Sequence, residues 1–255
     1  MHFSLHLSER FCMQLLDHFY RKKKQLTVLV DPDKLSNEEI EKTAKKAQRT
    51  GVDYFFVGGS LLINDNLHQS IKIIKENCDL PVIIFPGNNY QLSSNADAIL
   101  FLSLISGRNP DMLIGMHVIA APYIKLSGLE SIATGYMLID SGKPTSVSYM
   151  SNSFPIPSDK KDIASCTAMA GELLGLKMIY MDAGSGAENS IPTEMIRFVK
   201  DSIEIPLMVG GGIKTPELLK EKYDAGADIV VIGTQLENNI NDMQHFAEVK
   251  SSYNN

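Results

Sequence analysis

Residues 178–187 read MIYMDAGSGA, an apolar run that passes directly into a glycine-rich turn. The same succession returns at 207–214, LMVGGGIK, and at 229–234, IVVIGT. A near-continuous apolar run is typical of a strand that is buried on both faces, as in a parallel sheet. Proline and threonine at 192–193 and at 215–216 are typical of helix starts, so helices are predicted between these strands. The stretch therefore predicts parallel strands joined by helical crossovers.

Short runs rich in β-branched or aromatic residues recur along the whole chain, with helical patterns between most of them. Strands alternating with helices in this number predict a (β/α)8 TIM barrel, an α/β fold that forms one domain of about 250 residues. We expect a single barrel domain over residues 1–255, with a doubly wound sheet as the alternative. Helices are expected from Ser8 and from Ser36, whose capping-box partner is Glu39 and whose helix should end at Gly51. The predicted strands are 27–31, 53–58, 82–85, 98–103, 136–140, 178–182, 207–210 and 229–233.

One interval between predicted strands is too short for the pattern. Only the residues PGNNYQLSSNAD, at 86–97, separate the third strand from the fourth. A crossover with a packed helix usually needs about a dozen residues or more in total, and this segment is rich in turn formers. We therefore predict that the helix after the third strand is missing or shortened. The gap is either covered by neighbouring side chains or forms a groove for a long apolar ligand, with 122–126 and 132–136 as the expected lining.

The composition is that of an ordinary acidic globular chain, 44% hydrophobic with a net charge of −6. Proteins whose main partner is a nucleic acid are more often basic. The cysteines Cys12, Cys78 and Cys166 are widely spaced and odd in number, which excludes a disulfide framework and favours a reducing compartment. Cys166 is expected to be buried. Because apolar runs fall short of the roughly 20 residues that span a bilayer, we predict a cytoplasmic protein without stable membrane insertion.

The glycine turns after the last three strands predict a phosphate site. In TIM barrels the active site lies at the carboxyl ends of the strands, and phosphate often binds after strands seven and eight. Glycine turns expose successive backbone N–H groups, and helix N-termini add positive partial charge. A single turn of this kind is often only tight geometry, but three on adjacent strands favour phosphate binding. Their predicted contributors are Gly184, Ser185, Gly186, Gly211, Gly212, Gly233 and Thr234.

Polar side chains at other strand ends are candidates for metal binding and for acid–base chemistry. Asp31 and Ser60 follow neighbouring strands, so their oxygens could share a hard cation such as Mg²⁺, which needs only one or two protein ligands beside a substrate phosphate. Asp33 is equally suited to capping a turn. Asp182 lies beside the phosphate turns, where a carboxylate repels the ligand. That position suits a group that grips a substrate hydroxyl or takes its proton.

Five segments together carry a resemblance to a known family. TVLVDPDK (27–34), DYFFVGGS (53–60), YMDAGSGA (180–187), LMVGGGIK (207–214) and VVIGT (230–234), in this order and spacing, resemble geranylgeranylglyceryl phosphate synthase, a family that includes the bacterial heptaprenylglyceryl phosphate synthases. The resemblance extends over nearly the whole chain, and the chain is closer to the branch that carries DAGSGA. A shortened helix after the third strand is also a trait of this family.

The resemblance implies a prenyltransferase that joins sn-glycerol 1-phosphate to a polyprenyl diphosphate, with geranylgeranyl as the expected chain. An ether bond forms, diphosphate leaves and Mg²⁺ is required. It also implies a homo-oligomer, and it leaves chain length and subunit number open. By position, Asp31 and Ser60 match the family's metal ligands, and Asp182 would act on the glycerol hydroxyl. The matching substrate positions are Tyr180, Met181, Asp182, Ala183, Gly184, Ser185, Gly186, Gly211, Gly212, Gly233 and Thr234.

Two departures and two rival functions accompany the resemblance. Archaeal members usually carry glutamate where this chain has Asp182, and some bacterial members carry lysine where it has Leu29. One rival is a phosphosugar isomerase or lyase of the ribulose-phosphate-binding barrel type, which shares the glycine turns but needs no lipid groove. The other is a non-catalytic binder of a phosphate metabolite.

Overall fold

The structure, a computed structural model, describes residues 15–21, 23–64 and 66–254. Its strands form a closed barrel in sequence order, every neighbouring pair is parallel, and the first strand pairs with the last. This confirms the predicted TIM barrel. The strands are β1 (Gln25–Val30), β2 (Tyr54–Val57), β3 (Val82–Ile84), β4 (Ala98–Leu104), β5 (Glu130–Leu138), β6 (Met178–Asp182), β7 (Leu207–Gly210) and β8 (Ile229–Ile232).

Helices surround the barrel, and their ends follow the capping signals of the sequence. The Ser36 side chain accepts a hydrogen bond from the Glu39 N–H in a complete capping box, and Gly51 ends that helix in the left-handed conformation. Thr215 likewise caps the helix that begins at Pro216. The expected start at Ser8 lies outside the described residues. The helices are α1 (Leu15–Phe19), α2 (Asn37–Thr50), α3 (Leu67–Asn77), α4 (Met116–Ser127), α5 (Ser146–Met150), α6 (Lys161–Leu173), α7 (Thr193–Lys200), α8 (Pro216–Asp224), α9 (Thr234–Asn238) and α10 (Asp242–Ser252).

The helix after β3 is missing, as predicted. Residues 85–97, all of which the structure describes, form turns and bends that lead directly from β3 to β4. The chain then makes a π-helical turn at Asp111–Gly115 before α4 begins. The outer wall of the barrel therefore has a gap beside β3 and β4.

The amino end of the barrel is closed by α1. The Glu130 carboxylate accepts hydrogen bonds from the N–H groups of Leu15 (2.7 Å) and Leu16 (2.9 Å), and the Phe19 ring lies 4.9 Å from the Tyr54 ring. The cavity of the barrel is therefore open at its carboxyl end.

Two expectations were wrong in detail. The fifth strand begins at Glu130 rather than at 136, because residues 130–136 pair with β4 along the full length of that strand. Cys166, expected to be buried, is exposed, whereas Cys78 is buried.

Among the helices of the described residues, none combines the length and the apolar character that a membrane crossing requires.

Candidate active site

A cavity of about 860 Å³ opens at the carboxyl ends of the strands. Its polar part is formed by the loops after β1, β2, β6, β7 and β8, and its apolar part continues between β4 and α4 toward the gap in the outer wall. The polar lining includes Asp31, Ser60, Asp182, Gly184, Ser185, Gly186, Gly211, Gly212, Gly233 and Thr234. The structure thus brings most of the predicted site residues to one cavity.

The three glycine turns lie side by side, as the order of β6, β7 and β8 requires. Gly211 has a φ of 84°, and a Cβ there would lie 2.8 Å from the Ala183 Cβ and 2.8 Å from the Gly184 nitrogen. Only glycine lets these two turns approach so closely. On the other side, the hydroxyl oxygens of Ser185 and Thr234 are 3.4 Å apart. Backbone N–H groups and two hydroxyls are therefore gathered at one rim of the cavity, an arrangement that suits an anion.

Asp182 is buried at the end of β6, and both of its carboxylate oxygens accept hydrogen bonds. The Tyr136 hydroxyl donates to Oδ2 at 2.6 Å, and the Gly184 N–H donates to Oδ1 at 2.8 Å. Burial raises the pKa of Asp182, and the two hydrogen bonds oppose that rise. The carboxylate therefore holds the glycine turn and also faces the cavity.

Tyr136 was expected only as part of the apolar lining, and sequence reasoning missed its hydrogen bond to Asp182. It lies on β5, and its ring packs against Tyr180 at 5.4 Å and against Phe85 at 5.9 Å between ring centroids. Burial and the nearby Asp182 raise the pKa of Tyr136 well above its ordinary value, so the hydroxyl keeps its proton and acts as a donor. A tyrosine inside an apolar strand carries no signal in the sequence that distinguishes it from core.

Asp31 and Ser60 line the same part of the cavity, as the metal hypothesis requires. The backbone of Gly59 approaches Asp31 so closely that a Cβ there would lie 3.2 Å from Oδ2. Asp33, in contrast, holds the neighbouring loop, since its Oδ2 accepts a 2.6 Å hydrogen bond from the Ile63 N–H. Within the described part of the chain, no group of three or more His, Cys, Asp or Glu side chains is placed to hold a metal. A cation at Asp31 would therefore depend on ligand oxygens for most of its coordination.

Lys34 and Glu237 also enter this part of the cavity, and the sequence did not single them out. The Lys34 ammonium lies 3.4 Å from Asp31 Oδ2 and 3.4 Å from Glu237 Oε2, and it donates to Ser185 Oγ at 3.1 Å. Burial raises the pKa of Glu237, whereas the Lys34 ammonium lowers it. The Lys34 ammonium therefore connects the loops after β1, β6 and β8.

Two of the predicted substrate positions turn their side chains away from the cavity. Met181 and Ala183 are buried in the core between the barrel and its helices. Tyr180, one residue before Met181, lies in the interior cluster of the barrel and reaches the cavity, as does Asp182 between Met181 and Ala183. This follows from the two-residue period of a strand. Met181 and Ala183 could contribute to a ligand site only through their backbone.

The apolar part of the cavity lies where the outer wall is open. The Phe101 ring on β4 meets the His117 ring edge-on at 4.6 Å between centroids. Of the expected lining segments, only Ile124 and Tyr136 reach the cavity. The rest of the apolar lining comes from β4, the π-helical turn and α4–α5, and includes Ile99, Leu102, Leu104, Met112, Met116, Ala120, Val147 and Met150.

The fold and the cavity define a TIM barrel in which a rim of glycine turns leads into an apolar channel. Residues 18–251 match the model of the PcrB family, and the chain belongs to that family. A geranylgeranylglyceryl phosphate synthase of Chitinophaga pinensis is 53% identical over 214 residues, which are 84% of this chain and 85% of that protein. The resemblance drawn from the sequence is thereby confirmed.

Solved structures agree. The crystal structure of (S)-3-O-geranylgeranylglyceryl phosphate synthase from Thermoplasma acidophilum, in complex with its substrate sn-glycerol-1-phosphate, superposes with a TM-score of 0.90 at 33% identity, covering 94% of this chain and all of that one (100%). An N-acetylmannosamine-6-phosphate 2-epimerase from Clostridium perfringens superposes with a TM-score of 0.59 at 17% identity, covering 95% of this chain and 99% of that one. The second likeness is one of fold alone.

Proposed function

We propose that this protein is a prenyltransferase that joins sn-glycerol 1-phosphate to a polyprenyl diphosphate, forming an ether-linked prenylglyceryl phosphate and releasing diphosphate. The observation that carries the proposal is the continuity of one cavity, in which a rim of glycine turns leads into an apolar channel. A phosphosugar isomerase has no use for such a channel. The name of the Chitinophaga relative and the ligand of the Thermoplasma structure support the same substrates.

The glycine turns bind the phosphate of the glycerol substrate. Gly184, Gly186, Gly211 and Gly212 have positive φ values, a turn conformation that leaves backbone N–H groups free to face an anion, and Ser185 and Thr234 add hydroxyl donors. The Gly184 N–H itself is donated to Asp182, so the other N–H groups of the turns serve the phosphate. Once the phosphate is fixed there, a glycerol hydroxyl lies next to Asp182. Holding two substrates in register in this way removes much of the entropic barrier to reaction.

Asp182 orients that hydroxyl and accepts its proton. The C–O bond between the allylic carbon and the diphosphate breaks with its electron pair, and the glycerol oxygen forms the new C–O bond. The proton released from that oxygen passes to Asp182, whose raised pKa makes it a better base than an ordinary carboxylate. Tyr136 and the Gly184 N–H hold the carboxylate in place through the transfer.

Mg²⁺ fits the donor chemistry beside β1. Asp31 offers a carboxylate and Ser60 a hydroxyl in the same part of the cavity, and hard oxygens of this kind are the ligands that Mg²⁺ takes. The Lys34 ammonium 3.4 Å from Asp31 Oδ2 indicates that positive charge is stabilised at this point. When bound, Mg²⁺ would offset the negative charge that develops on the diphosphate.

The prenyl tail occupies the apolar channel between β4 and α4. Phe101, Met116, Ala120 and Ile124 line it, and the missing helix after β3 leaves room for a long chain. A geranylgeranyl donor is our proposal for the chain length. Cytoplasmic location and homo-oligomeric assembly remain predictions from the sequence.

Labelled sn-glycerol 1-phosphate, incubated with a ladder of prenyl diphosphates with and without Mg²⁺, tests the function through the mass of the product. We expect one prenylglyceryl phosphate, formed best from geranylgeranyl diphosphate and only with Mg²⁺. Turnover of a phosphosugar without any prenyl product would favour the isomerase or lyase. Binding of glycerol phosphate without turnover of any prenyl diphosphate would favour a non-catalytic binder.

A further inference from the structure

Lys34 is placed at the meeting point of the two anion sites, although nothing in the proposed chemistry has used it. Its ammonium donates to Ser185 Oγ at 3.1 Å, so it touches the glycine turn of the glycerol phosphate. The same ammonium lies 3.4 Å from Oδ2 of Asp31, the residue that the proposed function puts beside the diphosphate. Asp31 is only 3 residues from Lys34 along the chain, whereas Ser185 is 151 residues away. The closure of the barrel brings Ser185 to the same ammonium.

Glu237 is the third partner of the Lys34 ammonium, and its negative charge would be unfavourable at this position without that ammonium. Its side chain is only 9% exposed and belongs to α9, the helix whose first residue is Thr234 of the phosphate rim. A carboxylate beside bound phosphates repels them unless a cation compensates its charge. The Lys34 ammonium, 3.4 Å from Glu237 Oε2, is that cation.

We propose that Lys34 is an anion-binding residue shared by the two substrates, and that Glu237 is the positioning residue that holds its ammonium between the phosphate rim and the diphosphate end. If a cation were held at Asp31, Lys34 would lose one carboxylate partner, and Glu237 would keep its ammonium in the site. The ammonium then donates to phosphate oxygens in place of Asp31. The inference rests on the proposed function, because that function supplies the two anionic substrates.

Calorimetric titration with inorganic phosphate, in the absence of Mg²⁺, tests Lys34 without turnover. Hydrogen bonds to charged groups contribute enough that Lys34→Met should weaken phosphate binding by about ten- to a hundredfold. Lys34→Arg, which keeps the charge, should restore most of the affinity. The matched control is Lys45→Met, which removes a lysine that pairs with Glu41 on the outer surface of α2 and should leave phosphate binding unchanged. Lys34→Gln supplies the same comparison if the Met variant fails to fold.

A double-mutant cycle tests Glu237. In the wild-type background Glu237→Gln should weaken phosphate binding, because Lys34 loses its anchor. In the Lys34→Met background the same change should strengthen binding, because a repelling carboxylate disappears. A role for Glu237 in folding alone would change the affinity by the same factor in both backgrounds, and that result would overturn the positioning role. Wild-type affinity in Lys34→Met would overturn the role of Lys34.

The two proposals fail separately. If the wild-type protein binds phosphate but yields no prenylglyceryl phosphate, the proposed function fails while the Lys34 comparison still gives its answer. If turnover is normal and KM for sn-glycerol 1-phosphate is the same in Lys34→Met as in the wild type, the inference fails and the function stands.

Discussion

Asp182→Asn separates the role of this carboxylate in holding the glycine turn from its proposed role as the base. Asparagine keeps an acceptor for the Gly184 N–H, and its amide can donate to the oxygen of Tyr136, so both contacts survive in neutral form. Exchanging charge-assisted bonds for neutral ones should lower the free energy of unfolding by roughly 1–2 kcal/mol. At about 2–4 °C per kcal/mol, this is a fall in Tm of roughly 2–8 °C. Removal of the base should lower kcat by about 10²–10⁴-fold.

The pH dependence gives the same test a second readout. Because burial raises the pKa of Asp182, kcat/KM should fall on the acid side at a pH above the ordinary value of 3.8. Tyr136→Phe removes a hydrogen bond that lowers this pKa, so the acid limb should move to higher pH. The same shift of the Asp182 pKa affects folding. A carboxyl group whose pKa is raised in the folded state stabilises that state at pH values below its unfolded pKa. This stabilisation is lost as the pH rises through the folded pKa.

Tyr223→Phe is the control for this comparison. The Tyr223 hydroxyl is also buried, but it donates to the Gln25 carbonyl at 2.9 Å, at the opposite end of the barrel. Tyr223→Phe should lower the free energy of unfolding by about as much as Tyr136→Phe and should leave the pH profile of kcat/KM unchanged. The assay is kcat and KM for sn-glycerol 1-phosphate across pH, together with Tm, for all four proteins. A folded Asp182→Asn enzyme with wild-type kcat, or a Tyr136→Phe enzyme with an unmoved acid limb, would refute the reasoning.

Four further outcomes are expected. Asp31→Asn should raise the Mg²⁺ concentration needed for half-maximal rate, with a loss of several kcal/mol of charge stabilisation; Asp33→Asn, two residues on, is the control, and normal activity of Asp31→Asn at low Mg²⁺ would contradict the metal site. Measured kcat/KM should favour sn-glycerol 1-phosphate strongly over its 3-phosphate enantiomer, because a mirror image leaves buried polar groups unpaired; equal values would exclude the pose. Gly211→Ala should abolish phosphate binding in calorimetry, since its Cβ would clash at 2.8 Å, whereas Gly51→Ala, at a similar φ of 87° with open space around it, should cost only about 1–2 kcal/mol of backbone strain in a denaturation experiment. Ala120→Phe should shorten the longest prenyl diphosphate accepted without changing KM for glycerol phosphate, as product mass and initial rates will report; an unaltered chain-length profile would place the tail elsewhere.

The order of strands and helices in this barrel could be predicted because each element has a local sequence pattern. The apolar runs at 178–182, 207–210 and 229–233 are continuous since both faces of a parallel strand are covered. The glycine turns that follow them lie at one rim because parallel strands all end on the same side. Even the missing helix was predictable, because chain length alone forbids it between β3 and β4.

Contacts between distant segments were decided only by the closed barrel. Nothing local in the sequence joins Tyr136 to Asp182, 46 residues away, or Lys34 to Glu237, 203 residues away. Strand alternation turned Met181 into the core and Asp182 into the cavity, although both belong to one motif. Local sequence therefore determined which elements form and which residues end them. Tertiary structure determined which charges and hydroxyls face one another, because those distances depend on how eight strands close rather than on any one of them.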